Sequence, residues 1–136
     1  MDIVLDPLSP VPLYQQLRNQ IVVGIARGSL RCGDPLVSVR RLGAAFGVNP
    51  ATIAKGYDLL RSEGLVATNA KSGTFVARDT ASGPPAPSVE HEWRERLALL
   101  VTEARAQGID PETIRAATDD VLRTLPIDRT ESGESA

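Results

Sequence analysis

The residues best suited to chemistry in this sequence lie at the front of one predicted helix. Asn49 and Pro50 open the helix, and Ala51 and Thr52 follow them before any apolar residue is buried. Asn is a favourable helix cap, and Pro fits the first helical position because no hydrogen bond is lost there. A front end that stays short and polar lets the helix come close to another molecule. The major groove of DNA, roughly 12 Å wide, admits one such helix.

The function expected at the start of this helix is the recognition of DNA through direct side-chain contacts. Ala51 can meet a thymine methyl, Thr52 can bond a phosphate or a base, and Asn49 can pair with a phosphate or an adenine. Capping uses the same Asn49 oxygen, so a pure cap and a DNA contact are equally good interpretations of Asn49. The helix N-terminus adds a partial positive charge that favours phosphate.

Composition argues against several other kinds of site. The chain of 136 residues has one Cys and one His, which can form neither an internal disulfide nor a zinc site. No nucleophile, base and orienting group come together in the motif pattern, so an enzyme is the weakest hypothesis. No apolar run approaches the ~20 residues that cross a bilayer, and the N-terminus lacks a signal-peptide pattern. We therefore predict a cytoplasmic protein with no membrane partner, metal or cofactor.

Charge is distributed unevenly along the chain. Residues 1–80 hold nine Lys/Arg and six Asp/Glu, a balance of +3, whereas residues 81–136 hold six and eleven, a balance of −5. Lys and Arg bind the phosphates of nucleic acids, so the basic part is where a phosphate-binding surface is expected.

Three predicted helices must position the polar front. The first has a helical repeat of apolar residues and ends at Gly28. The second is capped by Ser38, is about two turns long and ends at Gly47. The third spans residues 49–63. Their inward-facing residues are Tyr14, Leu17, Ile21 and Ile25; Val39, Leu42 and Phe46; and Ile53, Tyr57 and Leu60.

A β-hairpin is predicted directly after the third helix. Two β-type runs, 65–68 and 74–77, are joined by a polar turn that contains Gly73. Three helices, the last two joined by a short turn, followed by a hairpin, are the layout of a winged helix-turn-helix. We predict this domain over residues 1–79, with residues 65–77 as the wing.

The C-terminal part is predicted to be a pair of helices. Residues 80–88 are rich in Pro, Gly and Ser and form a linker, residues 89–125 form two amphipathic helices, and residues 126–136 form a disordered tail. Two helices bury little by themselves, so the pair needs the first domain or a second copy of itself. We predict dimerisation through Val89, Trp93, Leu97, Leu100, Ala104, Ile114, Ala117, Val121 and Leu125.

Longer motifs carry a resemblance to a known family. Residues 10–77 contain, in order, Pro-Leu-Tyr, Gly-Asp-x-Leu, Ser-x-Arg-x-Leu, Gly-Val-Asn-Pro, Glu-Gly-Leu and Gly-Thr-Phe-Val. This order resembles the GntR family of bacterial transcription regulators. The segment NPATIAKGY and the short helix pair look most like its YtrA subfamily, whose members are small dimeric repressors. The fold expected is mainly α with a small hairpin: a winged helix-turn-helix followed by a two-helix dimerisation segment.

The resemblance assigns roles to matching positions. Ser38 and Arg40 match the start of the second helix, where the family's Arg contacts DNA. Asn49, Ala51 and Thr52 match the start of the recognition helix.

Two positions depart from the family's pattern. Ala54 stands where many members have an Arg, and Lys55 beside it is a substitute contact. Lys71 stands where the wing usually has a Gly, two residues before Gly73. A Lys at the wing tip can reach a phosphate or the minor groove, and a solvated Lys71 without a role in binding is an equal alternative.

Together these observations predict a homodimeric repressor that binds double-stranded operator DNA as an inverted repeat. An unknown small-molecule effector that releases the operator is compatible with the sequence. The alternative hypothesis is a winged-helix protein-docking module, whose acidic C-terminal part binds a basic partner.

Overall fold

The computed structural model describes residues 2–126, which fall into two compact units divided between Ser82 and Gly83. The first unit holds three helices and a two-stranded sheet, and the second holds two helices. The elements in chain order are α1 Leu13–Ala26, α2 Val39–Phe46, α3 Pro50–Ser62, β1 Val66–Asn69, β2 Gly73–Val76, α4 Pro87–Ala106 and α5 Pro111–Arg123. The predicted fold, a winged helix-turn-helix followed by two helices, is confirmed.

The first unit, which we call the winged unit, has a continuous apolar core. The stripes predicted on α1 and α3 meet there, and burying apolar area is the main force that holds such helices together. Gly56 allows close packing of α3 on α1, because a Cβ at this position would lie 3.0 Å from the Tyr14 carbonyl oxygen and 3.1 Å from Leu17 Cδ2. The core consists of Leu17, Ile21, Ile25, Leu30, Leu42, Ile53, Tyr57, Leu60, Val66 and Val76.

Tyr57 is the large polar side chain of this core. Its hydroxyl donates a 2.7 Å hydrogen bond to the Val37 carbonyl, so the buried oxygen keeps a partner. Burial raises the pKa of Tyr57 to about 12, because the phenolate would lose its hydration. The sequence-based assignment of Tyr57 to the core is confirmed.

Phe46 differs from the prediction that it faces the core. It is the last residue of α2, and its side chain remains 37% exposed. Gly47 follows with a φ of 63°, which turns the chain away before Phe46 can be covered. Phe46 instead lines a cavity of about 320 Å³ with Leu5, Leu13 and other residues at the front of α3.

Both strands of the hairpin lie one residue nearer the turn than the predicted runs 65–68 and 74–77. Its strands pair antiparallel from Val66 opposite Val76 to Asn69 opposite Gly73. The Asn69 side-chain oxygen accepts a hydrogen bond from the Ser72 amide, which extends order into the turn.

A short segment of loop supports the other edge of β2. The Leu36 amide donates to the Thr74 carbonyl at 2.8 Å, and the Val76 amide donates to the Asp34 carbonyl at 2.9 Å. Pro35 forms an isolated antiparallel bridge with Phe75. This pairing leaves β2 between β1 and the loop.

The second unit, which we call the helix pair, begins earlier than predicted. Helix α4 starts at Pro87, since Pro suits the first turn of a helix, and the predicted linker over 80–88 is correspondingly shorter. Asp110 caps α5 by accepting a 2.7 Å hydrogen bond from the Thr113 amide. Helix α5 ends at Arg123, so Leu125 lies just beyond it. The predicted disordered tail lies outside the described residues except for Pro126.

Candidate nucleic-acid interface

The start of α2 presents one capping side chain and two free cations, Arg40 and Arg41. The Ser38 hydroxyl accepts a 3.2 Å hydrogen bond from the Arg41 amide, so Ser38 fixes the helix start. Arg40 is exposed, and its guanidinium has no hydrogen-bond or ion-pair partner among residues 2–126. An exposed Arg near a helix N-terminus can bind a phosphate oxygen.

The start of α3 is exposed from Asn49 to Ala51, as the sequence predicted, whereas Thr52 is half-buried. Asn49 Oδ1 accepts a 2.9 Å hydrogen bond from the Ala51 amide, which makes Asn49 the helix cap. A bidentate contact with adenine would need this same oxygen, so the free Nδ2 group is the more accessible donor. Ala51 is exposed beside it and leaves space for a base edge. The capping role of Asn49 is therefore observed, and its contact with DNA stays a prediction.

Thr52 and Lys55 are turned toward other parts of the winged unit. Thr52 is half-buried and lines the cavity of about 320 Å³ with Leu13 and Phe46. The Lys55 ammonium lies 4.2 Å from the centre of the Tyr14 ring, which is a cation–π contact. Thr52 lies in the first turn of α3 and Lys55 in the second, and their contacts with DNA stay predictions.

The wing carries the other predicted residues. Lys71 lies in the turn between the strands, is exposed and has no partner within the described part of the chain. Gly73 is the first residue of β2 and has a φ of 67°, a left-handed backbone conformation that residues other than glycine rarely adopt. The Gly that the family usually has at position 71 is thus replaced without loss of the hairpin.

Ion pairing divides the basic residues of the winged unit into two groups. Arg18 forms a two-pronged pair with Glu63, through bonds of 3.0 and 2.7 Å, and Arg61 pairs with Asp58. The side chains of Arg40 and Lys71 have no carboxylate partner among the described residues. Exposed positive charge without an ion-pair partner among the described residues therefore includes Arg40 and Arg41 at the α2 start, Lys71 at the wing tip and Arg27 after α1. Such charge can bind phosphate.

An N-terminal arm, residues 2–9, was missed by the sequence analysis. The Val4 amide donates to Gln20 Oε1, and the Asp6 amide donates to Gln16 Oε1, each at 2.8 Å. Leu5 reaches the cavity beside Thr52. The two glutamines four residues apart on α1 are the sequence signal for this arm, although their polarity alone predicts only an exposed helix face.

The predicted dimerisation residues form an exposed apolar stripe in the helix pair. No residue of the helix pair is fully buried within the described chain. Trp93 is 49% exposed and Leu100 is 64% exposed, whereas Ala104 and Ile114 are half-buried. About half of the Trp93 side chain is thus accessible to solvent and available for packing.

Comparison with known proteins identifies the family. The model for bacterial regulatory proteins of the gntR family matches residues 13–76, from α1 to the end of the wing. The HTH-type transcriptional repressor YtrA of Bacillus subtilis is 30% identical over 115 residues, which cover 82% of this chain and 85% of that protein. The chain belongs to the GntR family.

Solved structures extend this likeness over both units. YtrA from Sulfolobus acidocaldarius, a GntR-family transcription factor, is 33% identical with a TM-score of 0.61, covering 76% of this chain and 97% of its own. A transcriptional antiterminator from Listeria monocytogenes is 26% identical with a TM-score of 0.80, covering 90% of each chain. The predicted resemblance to the GntR family and to YtrA is confirmed.

Membership of the GntR family decides the general function. The chain is a DNA-binding transcription regulator and is not an enzyme. This result favours DNA binding over the protein-docking alternative. None of the helices within residues 2–126 combines the length and apolar character needed to cross a membrane.

Proposed function

We propose that this GntR-family regulator is a homodimeric repressor that reads an inverted-repeat operator. Helix α3 enters the major groove, while the α2 front and the wing hold the flanking phosphates. The observation that carries this proposal is the exposed, unpaired charge of Arg40 at the α2 start and of Lys71 at the wing tip, together with an α3 that begins with small and polar residues. Arg41, next to Arg40, is exposed and unpaired as well. Paired cations such as Arg18 contribute to stability instead.

The exposed stripe of the helix pair supports the dimer. Large apolar side chains on one face of α4, including Trp93, Leu97 and Leu100, remain accessible to solvent within a single chain. Packing the stripes of two copies would remove this area from water, and such a contact is most simply symmetric. Two-fold symmetry would present two α3 helices to one side of DNA, which accounts for an inverted repeat.

Selection from a random duplex pool tests the proposal directly. The purified protein should enrich an inverted repeat, and its affinity for that repeat should fall steeply with salt. Arg40→Ala and Lys71→Ala should each weaken binding to all sequences and reduce the salt slope by about 1. Arg123→Ala is the matched control, because Arg123 is exposed but pairs with Asp120 in the helix pair.

Changes at the α3 front should act differently. Thr52→Ala or Ala51→Ser should alter which base pairs are preferred, with a cost of about 1–3 kcal/mol for each lost specific contact. Unchanged preference in both variants would contradict base recognition by this front. A monomer in sedimentation at micromolar concentration would contradict the dimer.

Two further parts of the proposal concern the cell. Binding to chromosomal DNA would place the protein in the cytoplasm. Release by a small-molecule effector stays a prediction, and a metabolite extract that dissociates the selected operator complex would support it.

A further inference from the structure

The wing needs support beyond its own two strands. A two-stranded hairpin in water is marginally stable, so its free end moves unless other contacts hold it. Val66 and Val76 anchor the base of the hairpin in the core. The backbone of the loop holds one edge of β2 through Leu36 and Asp34. The edge of β1 that faces away from β2 has no backbone partner among the described residues.

A pair of threonines lies between the buried base and the wing tip. Thr68 faces Thr74 across the strands, one step of two residues beyond the Val66 and Val76 pair. Side chains alternate along a strand, so both threonines extend the inward face of the hairpin toward the tip. Their hydroxyl oxygens are 2.9 Å apart and hydrogen-bonded.

Arg61 connects this threonine pair to the recognition helix. Its Nη2 and Nε groups lie 2.8 and 3.3 Å from Thr68 Oγ1, and its Nη1 group donates to Asp58 one turn back on α3. Arg61 also lies one turn after Tyr57, which is fixed in the core. The guanidinium is therefore held at both ends, by α3 and by β1.

We propose that Arg61 is a positioning residue that fixes the wing to the recognition helix, so that Lys71 and α3 meet the same stretch of DNA. The link runs from Arg61 to Thr68 and across to Thr74, and thus reaches both strands. This inference rests on the proposed function, specifically on the phosphate contact of Lys71.

A direct phosphate contact by Arg61 is the competing explanation. Three of its donor groups are already engaged, and the Asp58 carboxylate beside it would repel a phosphate. Arg40 and Lys71, in contrast, have no such partner within residues 2–126. The arrangement around Arg61 therefore suits a structural link better than a contact with DNA.

A double-mutant cycle with Lys71 tests the link. In the otherwise unchanged chain, Lys71→Ala should weaken operator binding about three- to tenfold, the range for one exposed charged contact. Thr68→Val removes the shared hydroxyl while keeping a β-branched side chain of similar size. In the Thr68→Val background the effect of Lys71→Ala should shrink to less than about twofold, because the wing tip is no longer held in place.

Arg61→Lys separates positioning from charge. Lys keeps the positive charge but lacks the planar fork that spans Thr68 and Asp58, so it should reduce the Lys71 effect as Thr68→Val does. Retention of the full Lys71 effect in both backgrounds would overturn the inference while leaving the proposed function intact. Loss of any Lys71 effect in the unmodified protein would overturn the wing contact itself, and the inference with it. Arg123→Lys is the matched control and should leave the Lys71 effect unchanged.

Hydrogen exchange provides a measurement without DNA. Amides of residues 67–74 should exchange faster in the Thr68→Val and Arg61→Lys variants, whereas those of α1 should not. Equal protection of the wing in all three proteins, each shown to be folded by circular dichroism, would contradict the positioning role even if operator affinity changed.

Discussion

The winged unit and the helix pair follow the same local rules but differ in burial. Asn49 caps a helix of the winged unit and Asp110 caps one of the helix pair, each through a side-chain oxygen. Core residues such as Leu17 and Leu60 are inaccessible to solvent, whereas α4 and α5 have no buried residue. Helix formation therefore depends on the local sequence in both units. Stable tertiary structure needs a partner surface, which the winged unit supplies itself.

The two units also differ in their ion pairs. The Arg18–Glu63 pair joins residues from α1 and the end of α3, and its two side chains are 22 and 25% exposed. The pairs described in the helix pair join residues three or four positions apart and are more exposed. The winged unit thus has one ion pair that joins two elements and another, Arg61–Asp58, within α3, whereas the pairs described in the helix pair all lie within single helices.

The largest predicted difference between the two units is in the free energy of unfolding when one leucine of each is replaced by alanine. Leu60→Ala should lower the free energy of unfolding by about 2–5 kcal/mol at every protein concentration, because it leaves a cavity in the core. Leu100→Ala should destabilise mainly when the protein is dimeric, and dilution to monomer should remove its cost. Urea unfolding at several concentrations measures both.

Trp93, the single tryptophan, makes this experiment specific. Its fluorescence reports on the helix pair, while circular dichroism reports on all helices. A cost of Leu100→Ala that does not change with concentration would show that the helix pair is stabilised within one chain, and the contrast between the units would fail.

Alkaline pH should destabilise the winged unit, since both tyrosines lie there. Tyr57 ionises near pH 10 when unfolded but has a folded pKa of about 12. Its raised pKa contributes stability that is fully present below pH 10 and is lost as pH rises to 12. The loss should reach about 3 kcal/mol, since one pKa unit corresponds to ~1.4 kcal/mol.

Tyr57→Phe is the control for this titration. It should cost about 1 kcal/mol at neutral pH by removing the hydrogen bond to Val37, and should reduce the fall between pH 10 and 12. A fall of equal size in the variant would mean that other groups govern alkaline unfolding.

The smallest predicted difference concerns the ion pairs. Glu63→Gln should cost about 1 kcal/mol, because it weakens a two-pronged, partly buried contact between helices. Asp120→Asn removes an exposed pair within α5 and should cost no more than a few tenths of a kcal/mol. Thermal unfolding at low and high salt would compare them. Equal costs would show that joining two helices adds nothing to an ion pair here.

Much of the candidate site was predictable because it depends on local sequence. The Asn49–Pro50 start, the cap at Ser38 and the buried position of Tyr57 all follow from capping chemistry and helical spacing. The exposure of Phe46 was not predictable. Helical spacing places it on the inner face, but whether another element covers that place depends on the path of the chain after Gly47.

The sequence by itself determined the helices, the hairpin, the polar front of α3 and the family, because each depends on residues near one another in the chain. Tertiary structure alone decided which cations are free. Glu63 reaches Arg18 across 45 residues, and Thr68 reaches Arg61 through the folded hairpin. Spacing cannot predict such contacts, because they form only when packing brings distant segments together. That packing leaves Arg40 and Lys71 without a partner in the described chain.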